Sequence, residues 1–131
     1  MDKELTDYLL DTNILIYYWK GEIPSSQIKN IEDILKRSLT ISIITKIELL
    51  GWRSHTTEGF LRAKEFLRHA KILPVDNDLA DLTIELRRNS NIKLADALIA
   101  ATALLNGLVL ITRNEEDFAM IEDLVIYNPF K

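Results

Sequence analysis

The stretch KLADALIAATALLNGLVLITRN, Lys93 to Asn114, constrains this chain more than any other, because it reads as a buried helix, a stop and a buried strand. From Leu94 to Leu105 nearly every residue is apolar or small and favours helix, and there is no Pro or Gly. An amphipathic surface helix is therefore excluded, and the helix has to be covered on most sides. Asn106 and Gly107 supply C-terminal stop chemistry, and Leu108 to Ile111 is a continuous apolar run suited to a central parallel strand. Asp96 is the misfit. In the first turn of so apolar a helix its carboxylate is expected to be shielded from bulk water, where an unpaired charge is costly or simply takes up a proton. It calls for a partner, and a metal ion is one. The plainer alternative is that Asp96 complements the helix dipole from an exposed edge, worth about 0.3 to 1 kcal/mol.

With 131 residues, 47% of them hydrophobic, and no low-complexity tract, the chain is expected to form one domain over 1–131 with a proper core. The absence of cysteine excludes a disulfide framework and a thiolate zinc site, and only His55 and His69 remain for nitrogen ligation, so any metal would be held by oxygen. The opening MDKELTDYLL has no basic region followed by an apolar signal core, and the longest nearly apolar stretch is interrupted by Asp96, Thr102, Asn106 and Gly107. A soluble, cytoplasmic protein without a membrane segment is expected. The net charge of −4 argues against a DNA-coating protein. Charge is nevertheless uneven: Arg53, Arg62, Lys64, Arg68 and Lys71 face only Glu58 and Glu65 in their stretch, whereas the segments before Ile23 and after Leu108 are acidic. That pattern suits a nucleic-acid backbone gripped near an acidic site, with Arg87, Arg88 and Lys93 as a second candidate surface, and it equally suits solvated helix faces.

Along the chain, strands and helices alternate. Tyr8 to Leu10 is a short strand ended by Asp11, after which Thr12 and Asn13 lead into a helix. Pro24 in a first turn and the spacing Ile28, Ile31, Leu35 mark a second helix ending near Arg37. Leu39 to Ile44 reads as the second strand, followed by Thr45 and Glu48 at capping-box spacing for the helix IELLGW. His55 to Ala70 reads as a charged helix with Phe60, Ala63 and Leu67 inward, and Ile72 to Val75 as an edge strand because of Pro74. Asn77 or Asp78 is expected to cap a helix carrying Leu79, Leu82 and Leu86. A short helix in RNEEDFAMI then precedes a last strand at Val125 to Tyr127. The alternation implies an α/β domain with a central parallel sheet of four to five strands, right-handed crossovers and flanking helices.

In such sheets ligands bind beyond the carboxyl ends of the strands, so acids that directly follow strands should converge there. Asp11 ends the first strand, Glu48 follows the second, Asp96 opens the central helix and Asp117 follows the fourth. Four carboxylates in one crevice repel one another unless cations bridge them. Mg²⁺ suits this, since it prefers octahedral oxygen coordination, keeps several waters and is commonly held by one or two carboxylates plus substrate phosphates. A pair of such ions about 3.5 to 4 Å apart activates a water and stabilises the leaving oxygen of a phosphodiester. Taken singly, Asp11 could be a turn residue, Glu48 half of a capping box and Asp117 one of several solvated acids.

The segments LLDTNILIYY, ITKIELLGW, IKLADALIAATAL and LVLITRNEEDF resemble, in order, the four motif blocks of the PIN-domain ribonucleases, specifically the VapC-like toxins of bacterial and archaeal toxin–antitoxin pairs. They span Leu9 to Phe118. The resemblance implies a single PIN-like α/β domain, a Mg²⁺- or Mn²⁺-dependent endoribonuclease, and a homodimer silenced by a cognate antitoxin. It matches Asp11, Glu48 and Asp96 to the family's first three metal-binding acids and Asp117 to the more variable fourth, beside Glu115 and Glu116. Thr112 and Asn114 match the polar pair that supports the site, with Asn13 a further supporting candidate. It implies too that an antitoxin's C-terminal segment lies in a groove near the site, with a basic side chain toward the acids. The apolar residues Tyr17, Tyr18, Trp19, Ile28, Ile31 and Leu35 are a candidate surface for that partner, or simply pack under the sheet.

Other readings fit less well. A haloacid-dehalogenase-like phosphotransferase needs an acid where Asn13 stands, and a phospho-receiver needs paired acids, a third-strand Asp and a late Lys in places where this chain has none. A catalytically silent interaction module of the PIN fold, or a PIN nuclease of RNA processing without an antitoxin, are the alternatives.

Overall fold

Strand and helix alternate in the computed structural model, which describes residues 7–131. The expectations that touch residues 1–6, namely the start of the 1–131 domain and the missing signal core, lie outside the described residues. The strands are β1 (Tyr8–Leu10), β2 (Thr40–Ser42), β3 (Lys71–Leu73), β4 (Val109–Ile111) and β5 (Ile126–Tyr127). The helices are α1 (Thr12–Trp19), α2 (Ser25–Arg37), α3 (Ile43–Leu50), α4 (Thr57–Phe66), α5 (Asn77–Arg88) and α6 (Leu94–Leu105), with 3-10 turns at Leu67–His69 and Glu115–Phe118.

All pairings are parallel. β4 lies between β1 and β5, and β2 pairs with β3 in a separate ladder. β1 and β2 run side by side without ladder bonds among the described residues, so the expected single sheet is divided three and two. Strands of three residues hold a ladder by only a bond or two, and little is needed to part it there. β3, followed by Pro74, is an edge strand as expected.

The side-chain period of two sorts the core onto both faces of the sheet. Leu10 and Ile111 pack with Ile14, Leu15, Ile31, Ile34 and Ile41 beneath α1 and α2, whereas Leu9 and Leu110 pack with Ala97, Ile99, Ala100, Ala103 and Phe118 beneath α6. Burial on both faces is why β1 and β4 read as unbroken apolar runs. α6 itself is covered from Ala97 to Ala103 by the sheet and by α5, and only its end residues Leu94 and Leu105 emerge. Its stop is built from two bonds, Gly107 N–H to the Leu104 carbonyl (3.4 Å) and Leu108 N–H to the Ala103 carbonyl (2.9 Å), with Gly107 at φ +63. This is the pattern that favours glycine after a helix. Among the described residues no helix is long and apolar enough to cross a membrane.

Four helix starts differ from the sequence expectation, each because a different hydroxyl, carboxylate or ring serves the start. β2 stops at Ser42, whose Oγ accepts from Ile44 N–H (2.9 Å), so α3 begins at Ile43 and the expected Thr45–Glu48 capping box does not form; Thr45 is fully buried inside the helix. Thr56 caps α4 through Gly59 N–H (2.9 Å), so that helix starts later than His55 and tightens into a 3-10 turn before Ala70. Asp76, rather than Asn77 or Asp78, caps α5 through Leu79 N–H (2.9 Å). Pro24 stands at the N-cap of α2.

Candidate active site

The register of β1 on β4 pairs Leu10 with Ile111, and therefore brings the next residues, Asp11 and Thr112, together at the carboxyl edge of the sheet. Asp11 N–H donates to the Ile111 carbonyl (2.9 Å), which fixes its backbone, and its side chain is 5% exposed. Every hydrogen bond to that carboxylate comes from a donor: Thr12 N–H to Oδ1 (2.8 Å), the buried Thr112 hydroxyl to Oδ2 (2.8 Å) and Asn13 Nδ2 to Oδ2 (3.2 Å). Thr112 is held in turn by Asn114 N–H (3.1 Å), and Asn13 Oδ1 accepts from Arg113 N–H (3.5 Å). Asn114 thus contributes to the site through its backbone. Burial nonetheless outweighs these bonds and pushes the Asp11 carboxyl up to about 6, with the charges of Asp96 and Glu48 adding to the rise.

Glu48 projects from α3, exposed, and its Oε1 accepts from the Thr12 hydroxyl at 2.5 Å. That hydroxyl lies 3.1 Å from Thr45 Oγ1, so a threonine pair ties α1 to α3 and orients the acid. Asp96 sits half-buried in the first turn of α6, less shielded than its apolar helix suggested. Its carboxyl is raised by partial burial first and then by Asp117 and Glu48, and Lys93, one turn earlier, opposes the rise. Asp117 stands exposed in the 3-10 turn Glu115–Phe118, whose Phe118 anchors it in the core. Glu115 is engaged elsewhere, by Asn128 Nδ2 (2.8 Å) and Lys131 (3.5 Å), and the Asn128 bond before all else lowers its carboxyl. Of the three neighbouring acids, Asp117 is the one whose charge raises Asp96.

The charges of these acids act on one another, those of Glu48 and Asp96 on Asp11, and those of Glu48 and Asp117 on Asp96. Among the described residues, no three His, Asp or Glu side chains close into a ready-made ligand set. The donors are all oxygens, one of them on a buried carboxylate with no cationic partner among the described residues, and this fits a hard divalent ion that keeps its waters and takes one or two carboxylates. The parts played by Thr12 and Thr45 are hard to read from sequence: Thr12 carries only the weak signal of its place between Asp11 and Asn13, and Thr45 has the spacing of a cap.

The apolar surplus expected at α1 and α2 is largely absorbed. Ile31 is buried, and Tyr17, Tyr18, Ile28 and Leu35 pack on the core. Tyr17 meets Phe130 at 5.0 Å, with Arg113 over both rings, and Trp19 meets Phe66 at 5.2 Å. Ile16 and Trp19 of α1 stay partly exposed, and Ile47, Trp52 and Leu61 are more exposed still. In the basic stretch, Arg62 and Arg68 pair along their own helical segment with Glu58 (3.1 Å) and Glu65 (3.3 Å).

The PIN domain family matches residues 8–124. Among solved structures, the chain is similar to a toxin–antitoxin complex from Klebsiella pneumoniae, with 33% identity, a TM-score of 0.75, and coverage of 95% of this chain and 99% of that one. It is similar as well to VapBC-1 from nontypeable Haemophilus influenzae (28% identity, TM-score 0.79, 96% and 100% covered). A third is VapBC2 from Rickettsia felis, bound to a DNA fragment from their promoter (26%, 0.79, 94% and 98%). No curated protein matches the chain.

Proposed function

The chain belongs to the PIN domain family, and from that membership we propose that it is a Mg²⁺- or Mn²⁺-dependent endoribonuclease, the toxin of a toxin–antitoxin pair restrained by a cognate antitoxin. In this reading it acts in the cytoplasm as a homodimer of one domain over residues 1–131. The similar structures named above, which are toxin–antitoxin complexes, support the antitoxin partner. The observation that carries the catalytic part is Asp11: a carboxylate buried to 5% exposure, given three donors and no cation among the described residues, and subject to the charges of Glu48 and Asp96.

Asp11, Glu48 and Asp96 would hold the divalent ion, with Asp117 as the fourth acid. When bound, such an ion makes a water nucleophilic at neutral pH and offsets charge on the phosphodiester. The chain's own residues do the rest. Thr112 and Asn13 fix the direction of Asp11 Oδ2, Thr12 holds Glu48 through its Oε1, and Phe118 anchors the turn that carries Asp117.

The test is cleavage of a mixed RNA substrate by the purified chain with Mg²⁺, with Mn²⁺ and with chelator, beside Asp96→Asn. Cleavage that needs metal and is absent from Asp96→Asn is expected. An Asp96→Asn protein cutting at the parent rate would sink the site assignment, and cleavage indifferent to chelator would sink metal dependence. The second reading, a metal-free interaction module of the same fold, is favoured by the open spacing of the acids. Calorimetry with Mn²⁺ separates the two, since a silent module takes up no ion.

A further inference from the structure

Next to the acids, the turn after α3 frames a cavity lined by Glu48, Gly51, Trp52, Arg53 and Ser54. Trp52 is 61% exposed, yet it is not loose. Its indole meets the His55 ring edge-on at 5.1 Å and 82°, and His55 meets Phe60 at 6.1 Å and 77°. His55 is itself fixed by donating from Nε2 to the Leu49 carbonyl (2.7 Å); a carbonyl only accepts, so that nitrogen carries the proton. Gly51 makes the turn possible, because a Cβ there would lie 2.6 Å from the Ile47 carbonyl oxygen. The turn thereby delivers a braced, uncovered aromatic ring and a cation to the wall shared with Glu48. Arg53 has no ion-pair partner among the described residues, unlike Arg62 and Arg68.

An exposed aromatic face beside an unpaired guanidinium is the combination that holds single-stranded nucleic acid, the ring by stacking on a base and the cation by meeting the backbone. We propose that this cavity is the nucleotide subsite flanking the scissile phosphodiester, in which Trp52 stacks a base of single-stranded RNA and Arg53 takes a neighbouring phosphate. The proposal rests on the nuclease reading above and adds to it the residues that position the substrate. Both residues act by binding, so their loss weakens RNA capture more than the chemical step.

Trp19 and Trp52 are the two tryptophans of the chain, so Trp19→Phe leaves Trp52 as the sole indole reporter. In chelator, this full-length variant is titrated with hexauridylate and with a ribose-phosphate oligomer of equal length lacking bases. Saturable fluorescence quenching by hexauridylate is expected, with the base-free oligomer binding about tenfold more weakly. Trp52→Ala should weaken hexauridylate binding about tenfold, measured by anisotropy of a labelled oligomer, and should raise KM with little change in kcat. Arg53→Gln should reduce the slope of log affinity against log salt by about 0.7, an independent readout that does not need the indole. Equal quenching by both oligomers, or parent affinity in Trp52→Ala together with an unchanged slope in Arg53→Gln, overturns the proposal. So does a Trp52 signal that ignores RNA while Trp52→Ala alters self-association in sedimentation, since the ring is then a protein contact. The two readings fail separately: RNA bound through Trp52 but never cleaved counts against the nuclease alone, and RNA cleaved with Trp52 silent counts against this subsite alone.

Discussion

Asp11 and Asp96 stand at the N-terminal ends of two helices, close enough for their charges to interact, and the fold treats them in opposite ways. Asp11 caps α1 from inside the protein, where register, backbone and three donors leave its carboxylate one orientation. Asp96 lies in the first turn of α6, half-buried, with no hydrogen-bond partner among the described residues and only Lys93 nearby to favour its charge. One acid is set by the fold and the other is left for whatever enters the crevice. The difference follows from position: Asp11 continues a central strand, whereas Asp96 begins the outermost turn of a helix whose buried part starts at Ala97.

The largest effect tests what the two share. Asp11→Asn and Asp96→Asn are each expected to bring RNA cleavage to background, since in the proposed function both hold metal. They should part in stability. Asp96→Asn is expected to unfold within about 0.5 kcal/mol of the parent in metal-free buffer, as partly exposed substitutions usually do. Asp11→Asn removes a charge that the folded state disfavours and should be the more stable of the two above pH 6. Urea unfolding in chelator measures both, and identical curves for the two variants would erase the contrast.

The pH dependence follows with its sign. Folding raises the Asp11 carboxyl from the ordinary 3.8 to about 6, so between those values the folded chain binds more protons than the unfolded one. Stability from this group is therefore fully present below pH 3.8 and is lost as the pH rises through 6, by an amount on the order of 3 kcal/mol. Asp96 moves in the same direction. A parent protein whose unfolding free energy declines over this window in chelator, a flatter profile for Asp11→Asn, and a smaller decline with Mn²⁺ present are the expected results. A decline that persists undiminished in Asp11→Asn would assign it to other groups.

These contrasts show what the sequence could and could not disclose. α6 and its stop were legible to the residue, because helix-forming small residues followed by Asn106 and Gly107 admit few other outcomes. The place of Asp11 at the carboxyl edge of the sheet was legible too, since parallel strands that alternate with helices put all their carboxyl ends on one side. Local ambiguity hid the start of α3: the β-branched Ile43 and Ile44 extend a strand pattern, and only the Ser42 bond to Ile44 N–H reveals the helix. Tertiary distance hid the rest. The bond from Thr12 to Glu48 joins residues 36 apart in sequence, and that from Thr112 to Asp11 joins residues 101 apart.

A smaller effect probes the supports. Thr112→Val keeps the shape but removes the donor to Asp11, and should reduce Mn²⁺ affinity about 10- to 100-fold, as for groups that orient metal ligands. Because that bond favours the ionised carboxylate, its loss should also raise the Asp11 carboxyl further. Thr12→Val acts on the exposed Glu48, which solvent can partly re-orient, and should reduce affinity less. Calorimetric titration of both variants orders them, and an inverted order would mean that Glu48, not Asp11, is the acid the fold has positioned.

The smallest effect decides whether Asp96 is as free as it looks. Lys93 is exposed, precedes α6 and favours the charged form of Asp96. If it only lends its field, then an incoming divalent ion must share the crevice with that positive charge. Lys93→Gln should in that case tighten Mn²⁺ binding by less than about threefold at low salt, with the gain vanishing near 1 M salt where the screening length is about 3 Å. Folding stability should move by under about 0.5 kcal/mol, since exposed charges contribute little. If Lys93 instead holds the Asp96 carboxylate in place, its removal weakens metal binding, and the weakening survives high salt because orientation rather than charge has been lost. The sign of the change and its response to salt therefore distinguish an acid awaiting its ligand from one already positioned by a lysine.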